Sequence, residues 1–123
     1  MRTTFLFVFL LVLGISCQVV GTGQKAYKDV NRSQWESIES QQKQDTVVVD
    51  VRTDREWQQG RIAGAKHIPI AELEGRLSEI AKDKKVLLYC HSGGRSSRAA
   101  KLLVERGYKQ VYNLKGGIAA WGN

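Results

Sequence analysis

The sequence predicts an α/β domain built around a parallel β-sheet. Two short, almost uninterrupted apolar runs, residues 46–51 and 85–89, are typical of strands buried on both faces of such a sheet. Segments with helical spacing lie between the short apolar runs, which is the pattern of βα units. The chain has 123 residues, 42% hydrophobic and 25% charged, which suits one globular domain and excludes a disordered or collagen-like chain.

Two segments carry the capping-box pattern, in which a Ser or Thr and a Glu three residues later satisfy each other's backbone N–H groups. Ser33 with Glu36 predicts a helix that runs to about Gln41. Thr53 with Glu56 predicts a short helix that is closed by a glycine at position 60. The remaining predicted elements are strands at residues 66–68 and 110–112, helical spacing over residues 73–80 and a final turn at residues 119–121.

The N-terminal residues differ in kind from the rest of the chain. Arg2 precedes an apolar run from Phe5 to Leu13, which is shorter than the about 20 residues of a membrane-spanning helix. A positive start, a short apolar stretch and small residues are typical of a secretory signal. We therefore predict an export signal with a short linker over residues 1–23 and a folded domain over residues 24–123.

Residues 13–17 read Leu-Gly-Ile-Ser-Cys and resemble a bacterial lipobox, in which cleavage before the cysteine leaves a lipid-modified first residue. That pattern usually has Leu where Gly14 stands, so cleavage near Gly21 or Gly23 is the alternative. The protein is expected in the bacterial periplasm or cell envelope, and lipidation of Cys17 would attach it to the membrane.

Charge and cysteine content restrict the classes of partner. A net charge of +7 favours anionic partners, and export argues for small anions and against nucleic acid. Two cysteines, Cys17 and Cys90, exclude a disulfide framework and a zinc cluster of the Cys-x-x-Cys type. Neither a cofactor nor a metal is predicted, because the sequence has no dinucleotide fingerprint, phosphate loop or metal-ligand cluster.

The most informative stretch is the loop that starts at Cys90, directly after the strand at residues 85–89. Apolar residues spaced i, i+3 and i+4 over residues 99–103 predict a helix after it. Ligands of open α/β sheets bind beyond the carboxyl ends of the strands, near helix N-termini. Gly93 and Gly94 allow the loop N–H groups to converge into an anion-binding nest, so Cys90 is expected to have a lowered pKa and to act as a nucleophile.

The first turn of this predicted helix carries Arg95 and Arg98, where acidic residues are favoured. Each such cation costs about 0.3 to 1 kcal/mol against the helix dipole unless an anion is also present. The sequence therefore predicts a bound anion at this helix terminus, namely the thiolate, its substrate or both.

The loop Cys90-x-x-Gly93-x-Arg95 resembles the active loop of the rhodanese family of sulfurtransferases, which commonly reads Cys-x-x-Gly-x-Arg. The resemblance extends from about Tyr27 to the chain end. The chain resembles the small single-domain members of the family. It includes residues 49–52 (Val-Asp-Val-Arg) followed by Glu56-Trp57, residues 60–69 up to Ile68-Pro69, and Gly116-Gly117 with Trp121.

The resemblance implies a rhodanese-like fold, a five-stranded parallel sheet with helices on both faces, and a two-step sulfur transfer. Cys90 would take a sulfane sulfur from thiosulfate or a similar anionic donor and pass it to cyanide or a thiol. The implied substrate-binding residues are His91, Ser92, Gly93, Gly94, Arg95, Ser96 and Arg98. Backbone N–H groups of the loop would cradle the persulfide and Arg95 would orient the donor, while His91 stands where many thiosulfate-using members carry Arg or Lys.

Two other functions fit the sequence less well. Cysteine phosphatases and arsenate reductases use a Cys-x5-Arg loop, whereas four residues separate Cys90 from Arg95, one too few to cradle a tetrahedral dianion. A non-catalytic rhodanese-like module that binds a partner or senses sulfur species is expected to lack the cysteine or the loop glycines, and this chain keeps both.

The remaining polar residues near the predicted strand ends are interpreted as structural. Asp50 and Arg52 are expected to tie down the loop that follows their strand, with Glu56 as a partner of Arg52. His67 is expected to be a hydrogen-bonded histidine in the turn before Pro69.

Overall fold

A computed structural model describes residues 25–122 of the protein. The predicted export signal and Cys17 lie outside the described residues. Across residues 25–122, no helix combines the length and the apolar character needed to cross a membrane.

Five strands, all parallel, form one sheet in the order β1-β5-β4-β2-β3. The strands are β1 Lys28–Val30, β2 Thr46–Asp50, β3 Lys66–His67, β4 Lys85–Tyr89 and β5 Val111–Leu114. The five-stranded parallel sheet is thus confirmed. The residue pattern does not indicate β1, because this edge strand has three residues and buries only Val30, so its sequence shows no hydrophobic periodicity.

Helices cover both faces of the sheet, as expected. They are α1 Arg32–Gln41, α2 Asp54–Gln58, α3 Ile70–Leu73, α4 Gly94–Glu105 and α5 Gly117–Trp121, with 3₁₀ turns at Lys43–Asp45 and Glu74–Glu79. On one face, Trp35 of α1 packs in a cluster with Leu87 and Tyr89 of β4. On the other face, Leu103 of α4 packs in a cluster with Leu88.

The cap predicted for α1 is wrong by two residues. Asn31 is the N-cap, and its side-chain oxygen accepts from the N–H of Gln34 at 2.9 Å. The side chain of Gln34 accepts from the N–H of Asn31 at 2.8 Å, so this pair replaces Ser33 and Glu36. Asn and Gln serve in a capping box as well as Ser and Glu do, and the helix still ends at Gln41.

Two further predictions about helices have different outcomes. Thr53 and Glu56 form the predicted capping box of α2. The helical spacing over residues 73–80 does not produce one helix, because α3 ends at Leu73 and a 3₁₀ turn follows. Arg76 in that turn has non-helical φ and ψ values, and Gly75 before it has a low helix propensity.

The carboxyl edge of the sheet holds a buried ion pair. Arg52 donates to Asp50 at 2.7 Å and to the carbonyl of Gly60 at 2.6 Å, which confirms that Asp50 and Arg52 tie down the following loop. The predicted pairing of Arg52 with Glu56 is wrong. Asp50 is fully buried, and a buried carboxylate needs a close cation to offset its desolvation.

His67, expected in the turn before Pro69, is the last residue of β3, and it is hydrogen-bonded as predicted. Nε2 of His67 lies 2.8 Å from the carbonyl oxygen of Arg52. The imidazole also stacks on Trp57, with ring centroids 4.7 Å apart. These contacts confirm a structural role for His67.

Candidate active site

Cys90 lies at the carboxyl end of β4, between β2 and β5 in the sheet. The register between β2 and β4 places Asp50 opposite Tyr89, so the last residues of both strands reach the same edge. Cys90 is 1% exposed and belongs to the apolar cluster that includes Ala99 of α4. Its thiol therefore lies on the side of the sheet that α4 covers.

Two donors at the start of α4 reach the sulfur. The backbone N–H of Gly93 donates to Sγ of Cys90 at 3.1 Å, and the hydroxyl of Ser96 donates at 3.4 Å. Gly93 is the N-cap of α4 with φ +106°, a conformation that favours glycine. The Ser96 hydroxyl also lies 3.2 Å from the carbonyl oxygen of Gly93, so its single proton serves either acceptor.

These donors lower the pKa of the thiol. Burial by itself would raise the pKa of Cys90, because it disfavours the charged form. The Ser96 hydroxyl and the backbone N–H groups of Ser96, Gly93 and Ser92 outweigh burial and hold the pKa below its ordinary value. A thiol with a lowered pKa at a helix N-terminus is an activated nucleophile.

The N-terminus of α5 supports the back of the loop. The N–H of Ile118 donates to the carbonyl of Cys90 at 2.9 Å, and the N–H of Ala119 donates to that of His91 at 3.1 Å. Gly116 and Gly117 before them both have positive φ, 77° and 61°. This close approach accounts for Gly117, the second of the paired glycines that the sequence shows near its end.

The side chain of Arg95 binds a carboxylate of α2. Its Nη1 and Nη2 donate to Oε1 and Oε2 of Glu56 at 2.7 and 2.8 Å. Hydrogen bonding to Arg95 is the main reason that the pKa of Glu56 falls to about 2. Sequence reasoning missed Glu56 as a site residue, because its partner lies 39 positions further along the chain and no local spacing signals the pair.

The structure thus brings together Cys90, Gly93 and Ser96, together with the backbone of Ser92. Gly94 is the first residue of α4. His91 and Arg98 are exposed, and within residues 25–122 neither side chain hydrogen-bonds to Sγ. Donor binding by His91, Arg95 and Arg98 stays a prediction.

The described residues do not include a cluster of side chains that could bind a metal ion. No group of three or more His, Cys, Asp or Glu side chains there could hold a metal ion. The groups that the structure places against Sγ of Cys90 are the backbone N–H of Gly93 and the hydroxyl of Ser96, and such donors favour the thiolate form.

Comparisons with known proteins agree with this geometry. Residues 34–123 match the rhodanese-like domain family. The chain is 39% identical over 96 residues to the thiosulfate sulfurtransferase GlpE of Coxiella burnetii, covering 77% of this chain and 87% of that protein. It is 46% identical over 78 residues to a sulfurtransferase of Allochromatium vinosum, covering 63% and 73%. The crystal structure of a rhodanese-related protein from Thermoplasma volcanium matches with a TM-score of 0.67 and 32% identity, covering 77% of this chain and 90% of that one.

Proposed function

The chain belongs to the rhodanese-like domain family, and on this premise we propose that it is a sulfurtransferase. It would move a sulfane sulfur from thiosulfate or a similar anionic donor to a thiophilic acceptor, through a persulfide on Cys90. The observation that carries the proposal is the 3.1 Å contact from the Gly93 N–H to the buried Cys90 sulfur at the start of α4. Relatives that are named sulfurtransferases support it.

In the first step, the Cys90 thiolate attacks the outer sulfur of thiosulfate. A new S–S bond forms to Cys90, and the S–S bond of thiosulfate breaks, with its electron pair leaving on sulfite. The terminal sulfur of the resulting persulfide carries the negative charge. The loop N–H groups and the positive end of the α4 dipole would stabilise that charge.

In the second step, the acceptor attacks the terminal sulfur. With cyanide as the acceptor the product would be thiocyanate, and with a thiolate as the acceptor the product would be the persulfide of that thiol. In both cases the electron pair of the S–S bond returns to Cys90 and regenerates the thiolate. The N–H donors that lower the pKa of Cys90 make it a good leaving group in this step.

Phosphatase or arsenate reductase chemistry has less support. The loop has four residues between Cys90 and Arg95, one fewer than the Cys-x5-Arg loop of those enzymes, which makes the cradle too short for a tetrahedral phosphate or arsenate.

The test is to incubate the purified protein with thiosulfate and to measure the mass of the peptide that contains Cys90. We expect one added sulfur in the wild-type protein and none in Cys90→Ser. Cyanide should then remove that sulfur as thiocyanate. If several sulfane donors leave Cys90 unmodified, the protein is better described as a binding or sulfur-sensing module.

We also propose that residues 1–23 export the protein to the bacterial cell envelope. Support comes from the pattern of Arg2, the apolar run and the Leu-Gly-Ile-Ser-Cys segment. Labelled palmitate should enter the wild-type protein in a bacterial host and fail to enter Cys17→Ser. Fractionation that finds the unlabelled, uncleaved chain in the cytoplasm would contradict export.

A further inference from the structure

An ion pair links α2 to α4 at the end of the loop that starts at Cys90. Both guanidinium nitrogens Nη1 and Nη2 of Arg95 bind the two carboxylate oxygens of Glu56, at 2.7 and 2.8 Å. The two side chains are 28% and 27% exposed, so solvent only partly screens the pair. Bidentate Arg–carboxylate pairs of this kind fix orientation as well as contributing energy.

Glu56 is itself held in place by its own helix. Its Oε1 accepts from the Thr53 hydroxyl at 3.0 Å and from the Thr53 N–H at 3.3 Å. The Thr53 hydroxyl in turn accepts from the N–H of Glu56 at 3.3 Å, completing the capping box. The carboxylate that Arg95 meets is therefore anchored to the N-terminus of α2.

Arg95 stands between the donors that contact the sulfur. Gly93 lies two residues before it and Ser96 directly after it, in the first turn of α4. We propose that Glu56 is a positioning residue for the Cys90 site, because its bidentate pairing with Arg95 fixes the turn that aims the donors of Gly93 and Ser96 at Sγ. The inference rests on the proposed role of Cys90 as the nucleophile.

The thiolate is sensitive to this positioning because its stability is a balance of opposed effects. Burial is the largest influence on the pKa of Cys90 and it favours the neutral thiol. Each donor has a smaller effect than burial, so the donors lower the pKa only in combination, with the two side-chain and backbone contacts to Sγ at 3.4 and 3.1 Å. A loosened first turn would weaken several of these bonds together and let burial prevail.

A purely electrostatic role for Glu56 predicts the opposite sign. The hydrogen bond with Glu56 is the largest cause that raises the pKa of Arg95. The charges of Glu56, Cys90 and Asp50 also raise it, so these groups interact electrostatically with Arg95. Removing the negative charge of Glu56 would, by Coulomb's law alone, leave the field of Arg95 less compensated and stabilise the Cys90 thiolate. The direction of change therefore separates positioning from simple charge.

The experiment measures the rate of alkylation of Cys90 by iodoacetamide as a function of pH, read by mass spectrometry on the peptide that contains Cys90. The wild-type protein is compared with Glu56→Gln and with Arg95→Lys, which keeps the charge but loses the bidentate fork. We expect the midpoint of the alkylation profile, the pH at which the rate is half of its maximum, to rise by about half to one pH unit in both variants. In the double variant the rise should be no larger than in either single one, because one interaction has been removed.

Glu79→Gln is the matched control. Glu79 also binds an arginine through both carboxylate oxygens, Arg76, at 2.6 and 3.1 Å, and its pKa is likewise lowered to about 2, mainly by that contact. This pair lies in the 3₁₀ turn at Glu74–Glu79, away from the Cys90 loop. We expect Glu79→Gln to leave the Cys90 midpoint unchanged.

An unchanged or lowered midpoint in Glu56→Gln, or an unchanged midpoint in Arg95→Lys, would overturn the positioning role. Thermal unfolding verifies that each variant is folded, and Arg95→Lys alone decides the question if Glu56→Gln does not fold. The measurement uses no sulfur donor, so it is independent of the proposed activity. A protein that shows these shifts but never accepts sulfur would contradict the sulfurtransferase proposal and leave the positioning role intact.

Discussion

Gly117 lies directly against the carbonyl group of His91. A Cβ atom at residue 117 would be 2.2 Å from that carbonyl oxygen and 2.6 Å from the carbonyl oxygen of Cys90. Both distances are far inside van der Waals contact, and the obstacle is backbone rather than a flexible side chain. The backbone of the Cys90 loop therefore packs against residue 117 so closely that only glycine fits there.

Gly117→Ala is expected to damage both stability and activity. The methyl group must push back the loop, and φ at this residue is +61°, so we expect a loss of about 1 to 3 kcal/mol in the free energy of unfolding. Urea denaturation measures this loss, and sulfur uptake by Cys90 should fall with it. Gly75→Ala, where a Cβ would meet nothing within 4 Å, is the control and should be tolerated.

Ser96→Ala should make Cys90 a weaker nucleophile at neutral pH. The variant loses the hydroxyl that donates to Sγ at 3.4 Å and that helps to lower the pKa of Cys90, so this pKa should rise. Alkylation should slow several-fold near pH 7 and recover at high pH, where the thiol is ionised in both proteins. Ser97→Ala removes a neighbouring hydroxyl that binds Tyr27 at 2.6 Å, so an equal slowing in that variant would contradict the assignment.

Asp50→Asn is expected to be among the most destabilising polar substitutions in the domain. It leaves Arg52, which is 5% exposed, without its carboxylate, and breaking a buried pair in this way typically costs about 3 to 5 kcal/mol. Glu36→Gln breaks the exposed pair with Arg32 and should cost less than about 1 kcal/mol. Similar losses for the two variants in urea denaturation would refute this ranking.

The Glu56–Arg95 pair should contribute stability that depends on pH in acid. The pKa of Glu56 falls from an ordinary 4.5 to about 2 in the folded protein, chiefly through the hydrogen bond from Arg95. A lowered carboxyl pKa stabilises the folded state fully above the unfolded value, and the contribution is lost as pH falls through the folded value. The difference in unfolding free energy between wild type and Glu56→Gln should therefore shrink from pH 4.5 towards pH 2.

Urea denaturation at several pH values between about 2 and 6 measures that difference. Glu79→Gln provides a comparison, because Glu79 has a similarly low pKa from Arg76 but a more exposed pair. Raised salt should reduce the Glu79 contribution more than the Glu56 contribution, since exposed charges are screened more strongly. A Glu56 difference that stays constant with pH would show that the carboxyl does not titrate with folding.

The buried strands were predictable from sequence because a strand that is buried on both faces consists almost entirely of apolar residues. Val48 and Val49 of β2 and Leu87 and Leu88 of β4 are all buried, so their runs are apolar without alternation. The edge strand β1 has no such pattern, since two of its three residues are exposed. It is a strand because β5 offers a partner, and that pairing joins residues 84 positions apart, Lys28 with Tyr112.

The placement of Cys90 was set by local sequence. A buried strand, a cysteine, a glycine-containing loop and an amphipathic helix follow one another without interruption, and together they place Cys90 at a helix N-terminus. Tertiary structure alone decided that Arg95 binds Glu56 and that Gly117 lies against His91. The reason is physical: these contacts depend on the order of strands in the sheet and on the approach of separate helices to one edge, which residue spacing does not encode.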